Sequence, residues 1–206
     1  MKNKFLVLGG DLRSIKLAEM LAEDENKVYS YGQEKSEEIV ENNYIEKCRN
    51  LNLAIEKSEF IVAPVPFTSD GVNINCSFSE EKIPIEELLK NNKTKTFFAG
   101  SINNENLKKL KEKYLDVIDI MKREELAVLN TIATAEGTIE VAIKNTGKIL
   151  QGANVLVLGF GRVAKIVAAK FNNLSAKVTV AARKITDLAW IEAYGYNSLD
   201  INNMLY

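Results

Sequence analysis

Short apolar runs alternate with segments of helical periodicity along the first 120 residues. The apolar runs predict five strands, at residues 4–8, 28–31, 60–63, 96–99 and 115–120. Between the first two runs, apolar residues recur at helical spacing from Leu12 to Ala22, and Asp11 is placed to cap that helix. Residues 42–52 are polar and predict a short helix and a loop. Strands alternating with helices indicate a doubly wound α/β domain of the flavodoxin or Rossmann type.

A second pattern follows, in which apolar and small residues recur at spacings of three and four over residues 132–149. This stripe predicts a long helix that connects two domains. It consists of Ile132, Ala135, Ile139, Ala142, Thr146 and Ile149. The predicted organisation is an N-terminal α/β domain at 1–128, a connecting helix at 129–151, and a Rossmann domain at 152–206.

The third pattern is a dinucleotide-binding motif between two apolar runs, 155–158 and 178–182. The intervening segment reads G-x-G-x-x-A and then becomes helical, as in a nucleotide-binding βαβ unit. The first glycine permits the tight turn, the second lets a pyrophosphate approach, and the alanine lets the helix pack close to the strand. The predicted cofactor-binding residues here are Gly159, Phe160, Gly161, Arg162, Val163 and Ala164. The alternative is a tight turn that binds nothing.

The end of the second apolar run predicts which dinucleotide binds. A carboxylate normally stands there to accept from the ribose of NAD, whereas a nearby arginine accommodates the 2′-phosphate of NADP. Here Ala182 is followed by Arg183 and Lys184, and no acid occurs before Asp187. The sequence therefore predicts NADP(H), with an ordinary solvated Arg–Lys pair as the alternative.

Composition removes several classes of function. The net charge is −1, with 27 basic and 28 acidic residues and no basic block, so neither nucleic acid nor an anionic membrane is an expected partner. No uninterrupted apolar run reaches the length of a membrane span. The chain contains no histidine, which excludes histidine catalysis and histidine metal ligands, and no metal is predicted. Cys48 and Cys76 are expected to be reduced packing residues.

Two segments of the first domain are candidates for a ligand other than a dinucleotide. The turn Gly9-Gly10-Asp11 opens the first helix, but Asp11 would repel a phosphate, and Arg13 could instead face a carboxylate. The loop 64–71 follows the third predicted strand, where ligands of α/β sheets bind. It carries Pro66, Thr68 and Ser69. The alternatives are a solvated helix charge for Arg13 and a surface turn at Asp70-Gly71 for the loop.

The start of the long helix carries Thr134 and Glu136, which we expect near a cleft between the domains. Substrate contact is one interpretation of these residues. The other is helix capping by Thr131 or Thr134, with Glu136 supporting the first turn.

Four motifs in a fixed order give the chain a resemblance to a known family: GGDLR, the PVP loop, TAEG and GFGRVA. The chain resembles the dipicolinate synthase A-subunit family of spore-forming bacteria, and its architecture is also similar to 2-hydroxyacid dehydrogenases and adenosylhomocysteinase. The resemblance implies NADP-dependent formation of dipicolinate from dihydrodipicolinate or its hydrated tetrahydro precursor. It also implies a cytoplasmic location in the mother cell and a partner, the flavoprotein-like B-subunit of the synthase.

This chemistry needs donors for two substrate carboxylates and an acceptor for a proton. The predicted substrate-binding residues are Gly10, Arg13, Pro66, Thr68, Ser69 and Thr134. Pro66 marks the loop, and the others are the candidate donors. Glu136 is the candidate proton acceptor. The competing functions are a 2-hydroxyacid or amino-acid dehydrogenase, which would normally want an arginine–histidine pair, and a non-catalytic NADP(H)-binding scaffold.

Residues 152–206 suffice for only one of the two βαβ halves of a Rossmann domain. We therefore expect a truncated domain that binds NADP(H) weakly and does not oxidise dihydrodipicolinate alone. The open sheet edge left by a missing half favours a homo-oligomer.

Overall fold

The computed structural model describes residues 2–90 and 94–203. The chain forms two compact units, Met1–Arg123 and Glu124–Tyr206. The long helix predicted as a connector thus groups with the second unit. The predicted limits 1–128, 129–151 and 152–206 stay a prediction.

The first unit alternates strands and helices, as predicted. Its strands are β1 (Lys4–Leu8), β2 (Lys27–Tyr31), β3 (Ile45–Lys47), β4 (Phe60–Val62), β5 (Asn73–Ile74), β6 (Ile83–Pro84), β7 (Thr96–Ala99) and β8 (Asp116–Asp119). Its helices are α1 (Leu12–Glu23), α2 (Glu37–Glu41), α3 (Leu51–Lys57), α4 (Ile85–Leu88) and α5 (Asn104–Lys113), with a 3₁₀ turn at Ile120–Lys122.

Six parallel strands form the main sheet in the order β3-β2-β1-β4-β7-β8. The prediction of five strands was wrong, because 42–52 contains the edge strand β3 rather than only helix and loop. β3 is three residues long and only Ile45 is buried, which is too little for an alternating pattern to show. Strand order reverses between β1 and β4, the point where sheets of this kind bind ligands.

Both faces of this sheet are covered by apolar side chains, as expected for parallel strands. Leu6 and Leu8 of β1 point into one cluster, with Phe67 and Phe97, whereas Val7 points into the opposite cluster. Burying strands on both sides fixes the positions of their carboxyl ends, which carry the candidate ligand-binding loops.

The second unit is a long helix followed by a smaller parallel sheet. Its elements are α6 (Glu124–Thr146), β9 (Asn154–Leu158), α7 (Arg162–Asn173), β10 (Lys177–Ala182), α8 (Ile185–Ala193) and β11 (Asn197–Asp200), with a 3₁₀ turn at Ile201–Asn203. The sheet order is β11-β10-β9, the arrangement of the first Rossmann half. The last strand, β11, begins at Asn197, and residues 204–206 lie outside the described part.

Helix α6 begins earlier than predicted, at Glu124, with Glu124 and Glu125 in its first turn. Acidic residues are favoured in the first turn because their negative charge complements the positive end of the helix dipole. Ala135, Ile139 and Ala142 of the predicted stripe pack into the core of the second unit, whereas Ile132 is 41% exposed. The capping role considered for Thr131 and Thr134 is wrong, because both lie inside the helix.

By length and composition alone, α6 is the one helix of the described residues that could cross a membrane. A single helix of this kind is weak support for a span, since helices of soluble proteins meet the same criteria. Glu136 and Glu140 also lie along it. The expectation of no membrane partner stays a prediction.

Candidate functional site

The glycine turn after β9 leaves the start of α7 open. Gly159 has φ +95°, a left-handed conformation that favours glycine, and its N–H donates to the carbonyl of Ala181 at 2.7 Å. A Cβ atom added at Gly159 or Gly161 would meet no other atom within 4 Å. Gly161 caps α7 without a side-chain hydrogen bond. The first N–H groups of α7 therefore remain available to an anion.

The remaining residues of the motif differ in what they can offer a cofactor. Phe160 is 8% exposed and packs in the core of the second unit, so only its backbone can reach a ligand. Ala164 packs against the same core, and Val163 is 41% exposed. The close packing of α7 that Ala164 was predicted to allow is therefore present.

Arg162 forms a bidentate ion pair with Glu124, the first residue of α6. Its Nε donates to Glu124 Oε1 at 2.7 Å and its Nη2 to Oε2 at 2.5 Å. The guanidinium lowers the pKa of the Glu124 carboxyl below its ordinary value, and Glu124 raises the pKa of Arg162. One predicted cofactor residue is therefore already occupied by an anion of the protein.

The carboxyl end of β10 presents two cations without partners. Arg183 and Lys184 are exposed, and neither side chain has a hydrogen-bond or ion-pair partner in residues 2–90 and 94–203. Ala182 is 2% exposed and occupies the position of the ribose-binding acid. These cations fit a phosphate, because an exposed unpaired guanidinium can bind one bidentately without breaking a pair.

Sequence analysis missed one acid at this edge. Strand β11 pairs with β10 so that Asp200 lies opposite Ala182. The Asp200 carboxylate accepts from the backbone N–H of Asn202 at 2.9 Å. No local motif could have identified it, because Asp200 reaches this edge only through strand pairing.

In the first unit, the structure brings the two predicted ligand segments together at the switch point of the sheet. Arg13 Nη2 donates to the carbonyl of Val65 at 2.6 Å, which joins α1 to the loop after β4. The Gly10 N–H donates to the carbonyl of Asn75 at 2.9 Å. Arg13 therefore contacts the loop, and the binding of a substrate by Gly10, Arg13 and this loop stays a prediction.

Arg13 is held by Asp11 and still offers part of its guanidinium. Asp11 caps α1 by accepting from the Arg13 N–H at 3.0 Å, and its carboxylate also pairs with the Arg13 Nε and Nη2. The Arg13 side chain holds the pKa of Asp11 below its ordinary value. The contacts to Asp11 and Val65 use the N–H groups of Nε and Nη2, so Nη1 remains free in the described part of the chain.

The hydroxyl groups of the loop after β4 are engaged within the loop. Thr68 donates to Asp70 Oδ1 at 3.2 Å and accepts from the Gly71 N–H, while Ser69 donates to Asn75 Oδ1 at 2.8 Å. The Asn73 side chain and backbone N–H groups hold the pKa of Asp70 far below its ordinary value. Pro66 is exposed and its carbonyl accepts from Asn75 Nδ2. These bonds fix the loop and leave its oxygens as acceptors.

Thr134 and Glu136 lie on different faces of α6. Glu136 Oε1 accepts from Lys170 of α7 at 2.9 Å, whereas the Thr134 hydroxyl donates to the carbonyl of Asn130 in its own helix. Residues two positions apart in a helix are separated by about 200° around its axis. A small ligand would therefore contact one of them, and both assignments stay predictions.

No group of three or more histidine, cysteine, aspartate or glutamate residues suited to a metal ion occurs in the described ranges. Cys48 and Cys76 are free thiols, and burial raises the pKa of both.

Comparisons with known proteins agree on one family. A family model for the N-terminal domain of the dipicolinate synthase A-subunit matches residues 4–121. The dipicolinate synthase A-subunit of Bacillus subtilis (strain 168) is 28% identical over 194 residues, which are 93% of this chain and 65% of that protein. The chain thus spans slightly less than two thirds of the length of this curated relative.

Two solved structures are similar over nearly the whole chain. The crystal structure of the dipicolinate synthase A-subunit from Bacillus halodurans matches with a TM-score of 0.79 and 30% identity, covering 98% of this chain and 69% of that one. The corresponding B. subtilis structure matches with a TM-score of 0.78 and 27% identity, covering 99% and 68%. The predicted α/β fold with a large parallel sheet and Rossmann-like units is confirmed by these matches.

Proposed function

Because the chain belongs to the dipicolinate synthase A-subunit family, as its motifs predicted, we propose that it carries the NADP(H) site and the dicarboxylate site of a dipicolinate synthase. The reaction is the NADP-dependent oxidation of dihydrodipicolinate, or of its hydrated tetrahydro precursor, to dipicolinate during sporulation. The whole protein performs this reaction in the cytoplasm of the mother cell. Its partner is the flavoprotein-like B-subunit, and homo-oligomers are a further association.

The observation that carries the cofactor assignment is the pair of unpartnered cations, Arg183 and Lys184, beside an open glycine turn. In this proposal the N–H groups at the start of α7 bind the pyrophosphate, and Arg183 binds the 2′-phosphate. When bound, NADP⁺ supplies the hydride acceptor. The second unit orients it, because catalysis of hydride transfer rests mainly on positioning.

The switch point of the first unit supports the dicarboxylate assignment. Arg13 offers the N–H groups of Nη1, which can donate a charge-assisted hydrogen bond to a carboxylate, while Asp11 and Val65 fix the rest of its guanidinium. Gly10 and the Pro66–Ser69 loop frame this position. The Thr68 and Ser69 hydroxyls act through their acceptor oxygens or donate after leaving their present partners.

Oxidation to an aromatic ring also releases protons, and Glu136 is the proposed acceptor. Its ion pair with Lys170 orients the carboxylate, and 64% of its side chain is exposed. Thr134, on the other face of α6, is the proposed hydroxyl contact.

Titration with reduced cofactors tests the assignment most directly. NADPH should bind more tightly than NADH, and Arg183→Ala should reduce this preference by about one to two decades, since a charge-assisted hydrogen bond contributes about 1.5–3 kcal/mol. Cofactor fluorescence or calorimetry measures both affinities. Lys177→Ala is the matched control, because this exposed cation lies at the opposite end of β10. Equal affinities for NADPH and NADH in the unmodified chain would refute the NADP assignment.

A further inference from the structure

Arg162, in the proposed nucleotide-binding motif, contacts an acidic residue of another helix that no motif indicates. Arg162 directly follows Gly161 and begins α7, so its side chain starts where the pyrophosphate is proposed to bind. Its guanidinium is nevertheless bound through Nε and Nη2 to the two carboxylate oxygens of Glu124. The bidentate edge of the guanidinium, which suits a phosphate best, is thereby filled by a carboxylate.

Glu124 and a bound pyrophosphate would compete for the same arginine, Arg162. The carboxylate lies one guanidinium away from the first turn of α7, and both anions are attracted to the same arginine. Glu124 already fills the Nε–Nη2 edge of that arginine, so a phosphate can take this edge only after Glu124 has left it. The Glu124 and Arg162 side chains are 64% and 56% exposed, so the pair can open without unfolding either helix.

We propose that Glu124 is a competing anion that lowers cofactor affinity, an inference that rests on the proposed cofactor site. When the cofactor binds, its phosphate displaces Glu124 from Arg162. Glu124 then weakens binding, because the ion pair must break before Arg162 can turn its bidentate edge to the phosphate. An anchoring role for Glu124, in which the carboxylate orients Arg162 toward the phosphate, would have the opposite effect on affinity.

The size of the effect follows from the exposure of the pair. Exposed ion pairs are weak, so their removal should tighten NADPH binding about two- to fivefold. Glu124→Gln keeps the size of the side chain and removes its charge. Glu140→Gln is the matched control, because it removes the same charge from the same helix at an exposed residue without a partner in the described residues.

The experiment is a calorimetric titration with NADPH. It compares the wild-type chain, the single variants Glu124→Gln, Glu140→Gln and Arg162→Gln, and the double variant Glu124→Gln/Arg162→Gln. We expect Glu124→Gln to tighten binding and Glu140→Gln to leave it unchanged. In the Arg162→Gln background, the effect of Glu124→Gln should disappear, because the competition acts through the arginine.

Unchanged or weaker binding by Glu124→Gln would overturn the proposal while leaving the cofactor site in place. A tightening that persists without Arg162 would also overturn it, in favour of direct repulsion. If neither NADPH nor NADH binds to the wild-type chain or to any variant, the proposed function itself fails, and this inference fails with it.

Discussion

Replacing Gly10 by alanine tests the packing at the switch point of the first unit. Gly10 has φ +91°, and an added Cβ atom would lie 1.9 Å from Ser14 Oγ and 2.6 Å from Ser14 Cβ. The turn cannot relax easily. The Gly10 N–H donates to the carbonyl of Asn75, and the Gly10 carbonyl accepts from the Ser77 N–H, both at 2.9 Å.

Two costs add at this position. A left-handed backbone costs a residue with a Cβ atom about 1–2 kcal/mol, and forcing extra atoms into a packed site costs about 1–3 kcal/mol. Gly10→Ala should therefore lower the free energy of unfolding by about 2–5 kcal/mol. Gly71 is the matched control: its φ is +79°, but the nearest atom to its added Cβ is Asn103 Nδ2 at 4.0 Å. Gly71→Ala should cost only the backbone share, about 1–2 kcal/mol.

Urea unfolding followed by circular dichroism measures the free energy of unfolding of both variants. In thermal unfolding, each kcal/mol should shift the melting temperature by about 2–4 °C. Ser14→Gly removes both clashing atoms, so adding Gly10→Ala to Ser14→Gly should cost only the backbone share. If Gly10→Ala destabilised the chain no more than Gly71→Ala, the close approach of Ser14 would be refuted.

Two further predictions concern the first unit. Arg13→Gln should weaken the binding of dipicolinate by about one to two decades in calorimetry, because it removes a charged donor. The control Arg49→Gln should leave the affinity unchanged. Equal affinities of wild type and Arg13→Gln would contradict the proposed carboxylate site. Tyr114 donates to the Leu88 carbonyl at 2.9 Å, so Tyr114→Phe should cost about 1–3 kcal/mol in urea unfolding at pH 8. Burial raises the pKa of Tyr114 above its ordinary 10.0, so its stabilisation is complete below pH 10 and decreases above it. The difference between wild type and Tyr114→Phe should shrink accordingly above pH 10, and a constant difference would contradict this.

The strands and helices that sequence analysis predicted well are those whose pattern is local. Helix α1 spans Leu12–Glu23, close to the predicted 12–22, and Asp11 caps it as predicted. The buried strands β1 and β7 have continuous apolar runs bounded by glycine. The edge strand β3 was missed because its pairing with β2, rather than its composition, makes it a strand.

The candidate site shows the same division. The turn Gly159–Ala164 and the cations Arg183 and Lys184 are readable from neighbouring residues. Glu124 is 38 positions from Arg162, and Asp200 reaches Ala182 only through the pairing of β10 with β11. Contacts of this kind depend on how elements pack, which a single sequence does not specify.

The two glycine turns of the chain show how packing separates similar local sequences. Both follow a strand of a parallel sheet and open a helix, and both contain glycine with positive φ. At the first turn, the space beside Gly9 and Gly10 is filled by Cys76, Ser14 and Pro64, and Asp11 caps the helix. At the second turn, the space beside Gly159 and Gly161 is empty and the helix has no side-chain cap.

A phosphate site needs uncapped N–H groups and room for the phosphate oxygens, and the absence of a nearby carboxylate also favours phosphate binding. The second turn meets the first two conditions fully and the third only when Glu124 withdraws. The first turn meets none of them, and its Arg13 contacts the loop after β4 instead. This difference supports the proposal that a dinucleotide binds to the second unit and a carboxylate ligand to the first.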